Sequence, residues 1–238
     1  MIHLITYGDS NYTNSKKLLQ NEAMNTNWFD TITVYGPNDL DNNFINKNID
    51  ILRRRRGGGY WLWKPYIIHK RLNEINYDDY LIYLDAGCKI NNCGEARFYA
   101  YIEMLKNNDM IAFQLDDNCF EKYYTTNEIF DYFNIDKDSE IRNTKQYIGG
   151  ILIMKKTHNT LNIINTCMDI VNNKPLLFTD DYNKNQMSYF IDNRHDQSIL
   201  SIIRKKSRGI QVLSDETYFS DFGNEKSLKY PFWATRRR

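Results

Sequence analysis

Asp85 closes the run Tyr80-Leu81-Ile82-Tyr83-Leu84-Asp85-Ala86-Gly87, a short apolar stretch ending in one carboxylate and two small residues. A carboxylate in that position suits a hard cation such as Mg²⁺ or Mn²⁺ carried by a diphosphate. Ala86 and Gly87 leave room for a bulky ligand against the backbone. A lone Asp-x-Gly also reads as a strand end that starts a turn. Four other strings carry complementary chemistry. Arg53-Arg54-Arg55-Arg56 precedes Gly57-Gly58-Gly59, so positive charge and bare backbone N–H groups could cradle a diphosphate. A solvated loop and an arginine–glycine nucleic-acid patch are the other readings of that run.

Tyr60-Trp61-Leu62-Trp63-Lys64-Pro65 follows directly. Its indoles can stack on a base or sugar, and Lys64 can meet a phosphate; both tryptophans packing under a sheet is the plainer alternative. Arg194-His195-Asp196-Gln197-Ser198 opens an apolar periodic segment. This cluster can hold sugar hydroxyls, with His195 available to a metal, or Asp196 can act only as a helix cap. Gly149-Gly150 at the start of an apolar run marks close passage of a ligand or of another backbone segment. The tail Arg236-Arg237-Arg238 could order over a diphosphate or serve only for solubility.

The elements that must position these groups follow from periodicity. Strands are expected over 2–7, 31–35, about 80–85, 110–114, a run within 147–154, and 210–213. Helices are expected from Asn14 or Ser15 to about Met24, over 60–74 with Pro65 in its first turn, over 128–133, 157–171 and 195–204. A polar stretch joins the second strand to the arginines. Strands alternating with helices imply α/β layering, and the Asp85 run reads as a strand covered on both faces. Asp85 then stands at a carboxyl end, where open α/β sheets place ligands.

At 238 residues the chain can bury a substantial core, and no repeat or linker divides it, so one domain is expected. The net charge of +1 argues against a surface built wholly for nucleic acid or anionic membrane. Four cysteines without a Cys-x-x-Cys pair imply reduced thiols. No apolar run reaches the length of a membrane span, and the N-terminus lacks a basic, signal-like region. A soluble, cytoplasmic protein is expected.

Taken in order, Ile5-Thr6-Tyr7-Gly8-Asp9, Gly57 through Pro65, Tyr83-Leu84-Asp85-Ala86-Gly87-Cys88 and His195-Asp196-Gln197-Ser198 resemble a glycosyltransferase family of the GT-A fold. Its members look like the capsid-glycosylating enzymes of giant DNA viruses and some bacterial polysaccharide glycosyltransferases. The resemblance runs from the first strand to past residue 200. It implies a single GT-A domain over 1–238 with a mixed central sheet flanked by helices. The donor half is about 1–115 and the acceptor-side half about 116–238. It further implies a nucleotide-sugar donor, most often a UDP-sugar, a glycan or glycoprotein acceptor, and a divalent cation, Mn²⁺ or Mg²⁺. For a viral member the compartment is the host cytoplasm.

Residue by residue, the resemblance places Thr6 and Tyr7 against the nucleoside. Arg56, Gly58, Trp63, Lys64 and Gly87 fall to the donor, and Gly149, Gly150 and His195 to the acceptor or sugar. Asp85 takes the metal-linked position of the Asp-x-Asp motif, but the second acid position is Gly87. A cation would then rest on Asp85 with the diphosphate, or on His195 as well; failing that, Arg and Lys supply the charge. The segment 195–198 also resembles the His-Asp-Glu-Ser segment of the α1,3-galactosyltransferase and blood-group enzymes. Here Gln197 replaces the glutamate and cannot form a glycosyl ester. Asp85, Asp196 and Gln197 are the catalytic candidates, with Asp196 handling the acceptor or acting as base. Two alternatives remain: a nucleic-acid-binding protein using its two arginine clusters, or an inactive sugar-binding domain.

Overall fold

In the computed structural model, which describes residues 1–116 and 118–237, β-branched and aromatic residues build a six-stranded sheet. Its strands are β1 (Ile2–Tyr7), β2 (Thr31–Tyr35), β3 (Tyr80–Leu84), β5 (Met110–Gln114), β6 (Ile151–Lys155) and β7 (Ile210–Ser214), in the order β2-β1-β3-β6-β5-β7. β1 pairs in parallel with β2 and β3, and β5 with β7, whereas β6 runs antiparallel to both β3 and β5. The sheet is therefore mixed, as expected. β4 (Lys89–Ile90) and β8 (Phe232–Trp233) form a separate antiparallel pair that ties the C-terminal segment to the region after Asp85.

Both faces of the sheet are covered, and the period of two explains how. Leu81 and Tyr83 of β3, Ile5 and Tyr7 of β1, and Leu152 and Met154 of β6 enter one core. Ile82, Leu84, Leu4, Ile151 and Ile153 enter the other. Helices Trp63–Glu74, His158–Asn173 and Asp196–Lys205 contribute Ile67, Ile164 and Ile199 to the first core. Helices Thr13–Thr26 and Glu95–Met104 contribute Leu19 and Phe98 to the second. Each aliphatic side chain so buried stabilises by about 1.5–3 kcal/mol.

Some elements differ from the sequence expectation. The polar stretch before the arginines is helical over Asn42–Leu52, with the Asp41 carboxylate accepting the Phe44 N–H at 2.7 Å as its cap. Helix Glu95–Met104 was also not foreseen. The expected helix from residue 60 begins instead at Trp63, and Pro65 falls in its first turn. Residues 57–61 form a left-handed turn with φ between 55° and 97° at all five positions. Gly59 makes that turn fit, because a Cβ there would lie 2.7 Å from Leu52 Cα. The first helix starts at Thr13, ahead of the expected caps; Asp9 instead caps the short turn Ser10–Tyr12. All four cysteines are unpaired. Among the described residues no helix is long and apolar enough to cross a membrane.

Candidate functional site

The antiparallel placement of β6 brings its beginning beside the carboxyl end of β3, with Leu84 opposite Ile151. Asp85 and Gly149-Gly150 thus meet at the carboxyl end of β3, in the middle of the sheet, and the Asp85 N–H donates to Gly150 O at 2.8 Å. A side chain at Gly150 would put its Cβ 2.8 Å from Asp85 Oδ2. The start of helix Trp63–Glu74 delivers Lys64 to the same place, and the start of helix Asp196–Lys205 delivers Asp196 and Gln197. A cavity of about 560 Å³ opens there, lined by residues from all of these segments.

Lys64 is the electrostatic centre of this cavity. It is only 2 % exposed, and its Nζ lies 2.6 Å from Asp196 Oδ2 and 3.1 Å from Asp85 Oδ1. It also donates to Gly149 O at 3.1 Å. Burial pulls the Lys64 ammonium down, but the two carboxylates outweigh that and hold it above its usual range. Burial pushes Asp196 up to about 6, with the Asp85 charge adding to the rise and Lys64 opposing it. Asp85 is 38 % exposed, and its Oδ1 also accepts the Tyr83 hydroxyl at 2.5 Å. The capping alternative for Asp196 falls away: it is the first residue of its helix, with His195 before it, and its carboxylate faces Lys64.

The aromatic string splits as its two tryptophans face different surroundings. Trp63 stacks on Tyr7 with ring centroids 3.9 Å apart, its Nε1 donating to Gly57 O at 3.1 Å. Trp61, at φ 55°, packs beside the His195 ring and also lines the cavity. Both Tyr7 and Trp63 combine deep burial with an edge on the cavity.

Of the candidates from sequence, Asp85, Asp196, Gln197, Tyr7, Arg56, Gly58, Trp63, Lys64, Gly87, Gly149, Gly150 and His195 all line this one cavity. Thr6 does not. It is buried, and the alternation along β1 turns it away from the side on which Tyr7 reaches the cavity. Arg56 is at the wall, but its guanidinium is bound by Asp180 at 2.8 Å and Asp192 at 2.5 Å. Arg54 is held by Asp181 at 2.5 Å. Two of the four arginines, Arg54 and Arg56, are thus knitted to the loop 180–192, while Arg53 and Arg55 are exposed. Sequence reasoning missed Asp180, Asp181 and Asp192, which lie more than 120 residues away and carry no local signal.

His195 lines the same cavity. Its Nε2 pairs with Asp180 Oδ1 at 2.9 Å, and burial lowers its pKa despite that partner. It sits at φ 56° and ψ −120°, a conformation rare for a residue with a Cβ. Such strain is held in place by the Asp180 contact and the flanking Tyr60 and Trp61 rings.

A protein-held divalent cation fits these residues poorly. Among the described residues no cluster of three His, Cys, Asp or Glu side chains has that geometry. The two converging carboxylates, Asp85 and Asp196, already close on the Lys64 ammonium. At the second position of the Asp-x-Asp pattern, Gly87 is covered by the C-terminal strap: a Cβ there would lie 3.0 Å from Arg237 O and 3.1 Å from Arg236 Cα. The strap is fixed by Thr235 Oγ1 donating to Gly87 O at 2.8 Å and by the Arg237 N–H donating to the same carbonyl at 3.1 Å. It brings Arg236 to the cavity wall, whereas the Arg237 guanidinium is held by both oxygens of Glu22 at 2.6 Å. Arg238 lies outside the described residues.

The chain has a GT-A-like glycosyltransferase fold. It aligns with a solved glycosyltransferase involved in glycosylation of the major capsid of PBCV-1, over 98 % of this chain and 92 % of that one, at 12 % identity and a TM-score of 0.55. Mouse xyloside xylosyltransferase 1 aligns over 92 % of this chain and 87 % of its own, at 10 % identity and a TM-score of 0.48. The galactosyltransferase LgtC aligns over 96 % and 83 %, at 12 % identity and a TM-score of 0.46. Among these three only the capsid enzyme passes a TM-score of 0.5, and at its identity it establishes the fold alone. No family model matches the chain, and no curated protein matches it.

Proposed function

We propose that the protein is a glycosyltransferase that moves a sugar from a nucleotide-sugar, a UDP-sugar in our reading, to a glycan or glycoprotein acceptor. The observation that carries this reading is the convergence of Lys64, Asp85, Asp196 and Gln197 on one cavity at the carboxyl end of β3 in a GT-A-like sheet. The half up to about residue 115 takes the donor, and the half from about 116 the acceptor. Tyr7 and Trp63 form an aromatic wall on the nucleoside side, and Gly58 leaves space for the diphosphate, while the strap covers Gly87.

Transfer breaks the bond between sugar C1 and the diphosphate oxygen while an acceptor hydroxyl oxygen bonds to C1. Charge grows on the leaving diphosphate, and fixed cations aimed at it lower the barrier without reorganising. Lys64 is such a cation, desolvated and locked by three contacts; Arg236, exposed on the strap at the cavity wall, adds a second positive charge that no partner among the described residues fixes. Asp85 keeps Lys64 in place and is itself oriented by Tyr83. Asp196 in its ionised form takes the acceptor proton or holds its hydroxyl. Gln197 hydrogen-bonds the donor sugar. Because the donor set suits an ammonium better than a protein-caged Mn²⁺ or Mg²⁺, no step is assigned to a metal.

The nucleic-acid reading loses its main support, since Arg54 and Arg56 are paired to acids. The direct test is a panel of UDP- and GDP-sugars scored for release of nucleotide with and without simple sugar acceptors. Release from one nucleotide class by the wild type, and none by Asp85→Asn, supports the reading. Binding without release by the wild type would instead favour an inactive sugar-binding domain.

A further inference from the structure

A chain of buried side-chain amides reaches the cavity from behind. Gln146, fully buried ahead of β6, donates through Nε2 to Thr125 Oγ1 at 3.0 Å, Glu121 Oε2 at 3.1 Å and Tyr124 O at 3.3 Å. Its Oε1 accepts from Gln197 Nε2 at 2.8 Å. Gln197 Oε1 in turn accepts the Gly149 N–H at 3.1 Å. Glu121, itself fully buried, is held by Lys205 Nζ at 2.7 Å and by the Ser201 hydroxyl at 2.5 Å.

The two ends of this chain dictate its polarity, because an amide's oxygen and nitrogen are told apart by their partners. At the far end the Tyr124 carbonyl only accepts. At the cavity end the Gly149 N–H only donates. Reversing Gln146 would set its oxygen against the Glu121 carboxylate and the Tyr124 carbonyl. Reversing Gln197 would set its NH₂ against the Gly149 N–H. Gly149 allows the contact at all, as a Cβ there would come within 2.8 Å of Gln197 Cβ.

We propose that Gln146, anchored by Glu121, is a positioning residue that locks the Gln197 amide so that its second N–H, not its carbonyl, is offered to the cavity. The group presented to the transferred sugar is then a hydrogen-bond donor, selecting a sugar oxygen with a free lone pair. This inference rests on the reading of the cavity as a nucleotide-sugar site.

Full-length wild type, Gln146→Leu and Gln146→Glu are compared for turnover of UDP-glucose and UDP-galactose and for UDP affinity by calorimetry. Gln146→Leu is expected to lower kcat by roughly 10- to 100-fold, the scale of a misplaced reacting group. Its UDP dissociation constant stays within about twofold of wild type. Gln146→Glu keeps the carbonyl that Gln197 needs. Two carboxyls beside Lys205 share a proton at acidic pH and lose it as pH rises. Its turnover relative to wild type should therefore approach unity near pH 5 and fall toward that of Gln146→Leu by pH 8. Wild-type kcat in Gln146→Leu, or a pH-independent ratio for Gln146→Glu, overturns the proposal.

A readout without turnover separates this inference from the site reading. Melting-temperature losses of Gln146→Leu and Gln197→Leu should combine to less than their sum in the double variant, since both break one chain. Additive losses sink the positioning role. Sub-additive losses in a protein that turns over no nucleotide-sugar keep the chain and sink the functional reading.

Discussion

Two clusters of paired charges, one around Lys64 and one around Arg54 and Arg56, behave differently. Lys64 and Asp196 are closed off from water, the ammonium being 2 % exposed, and Asp85 meets them from the solvent side. Arg54 and Arg56 with Asp180, Asp181 and Asp192 are about one-third exposed. In the first, neither Lys64 nor Asp196 can be rehydrated without opening the fold, so each depends on the other. In the second, water and salt screen the pairs, and any one of them contributes little. The difference teaches that burial, rather than the number of cations, decides how strongly a charge depends on its partners. The surface cluster instead fastens the left-handed turn at 57–61 to the loop 180–192, which together shape one side of the cavity.

The contrast breaks most sharply at Lys64. Lys64→Met strands two carboxylates against each other, and loss of about 3–5 kcal/mol of stability is expected from removing one partner of a buried ion pair. Urea unfolding measures it; a loss below about 1 kcal/mol would place the pair in the surface class after all.

Asp85→Asn comes next. Its carboxylate is partly exposed, so the fold should survive, while turnover falls by roughly 10²-fold, the scale of losing one electrostatic contact. Steady-state rates beside a melting curve check both halves.

A smaller effect is expected from pH. Asp196 is raised to about 6 in the fold from the ordinary carboxylate value of 3.8, so between those values the folded protein holds a proton there that the unfolded chain has lost. Its contribution to stability is therefore favourable below about pH 4 and is lost as pH rises through about 6. Activity that needs the ionised carboxylate runs the other way, rising through about pH 6. A kcat/KM profile flat between pH 5 and 8 would remove Asp196 as base.

Least affected should be Arg54→Ala, at no more than about 1 kcal/mol and less in high salt. A large, salt-independent loss in its chemical denaturation would erase the distinction between the two clusters.

Much of this arrangement is legible in the chain itself. β1, β2 and β5 match their expected bounds because short alternating or apolar runs, rich in β-branched residues in β1 and β2, have few other fates. Lys64, Asp85, Asp196 and Gln197 are readable as site residues since each sits at the start or end of a strongly patterned element. Helix Asn42–Leu52 was missed because four asparagines obscure the spacing of Phe44, Ile45, Ile49 and Ile51, although Asp41 is a readable cap. The partners of Arg54 and Arg56 were out of reach for another reason: ion pairs over such sequence separations leave no trace in local pattern. Thr6 shows the limit of transferring roles by resemblance, because one step along a strand changes the face.

The central claim is that fixed protein cations, Lys64 foremost, form the diphosphate site. Thermal shift of the wild type with UDP and GDP, each in Mn²⁺ and in EDTA, tests it most directly. At about a hundred times its dissociation constant a ligand adds roughly 2.7 kcal/mol. The account predicts a shift with UDP that persists in EDTA. A shift present only with Mn²⁺ would contradict it by moving the charge from Lys64 to a metal, and no shift with either nucleotide would contradict the donor site altogether.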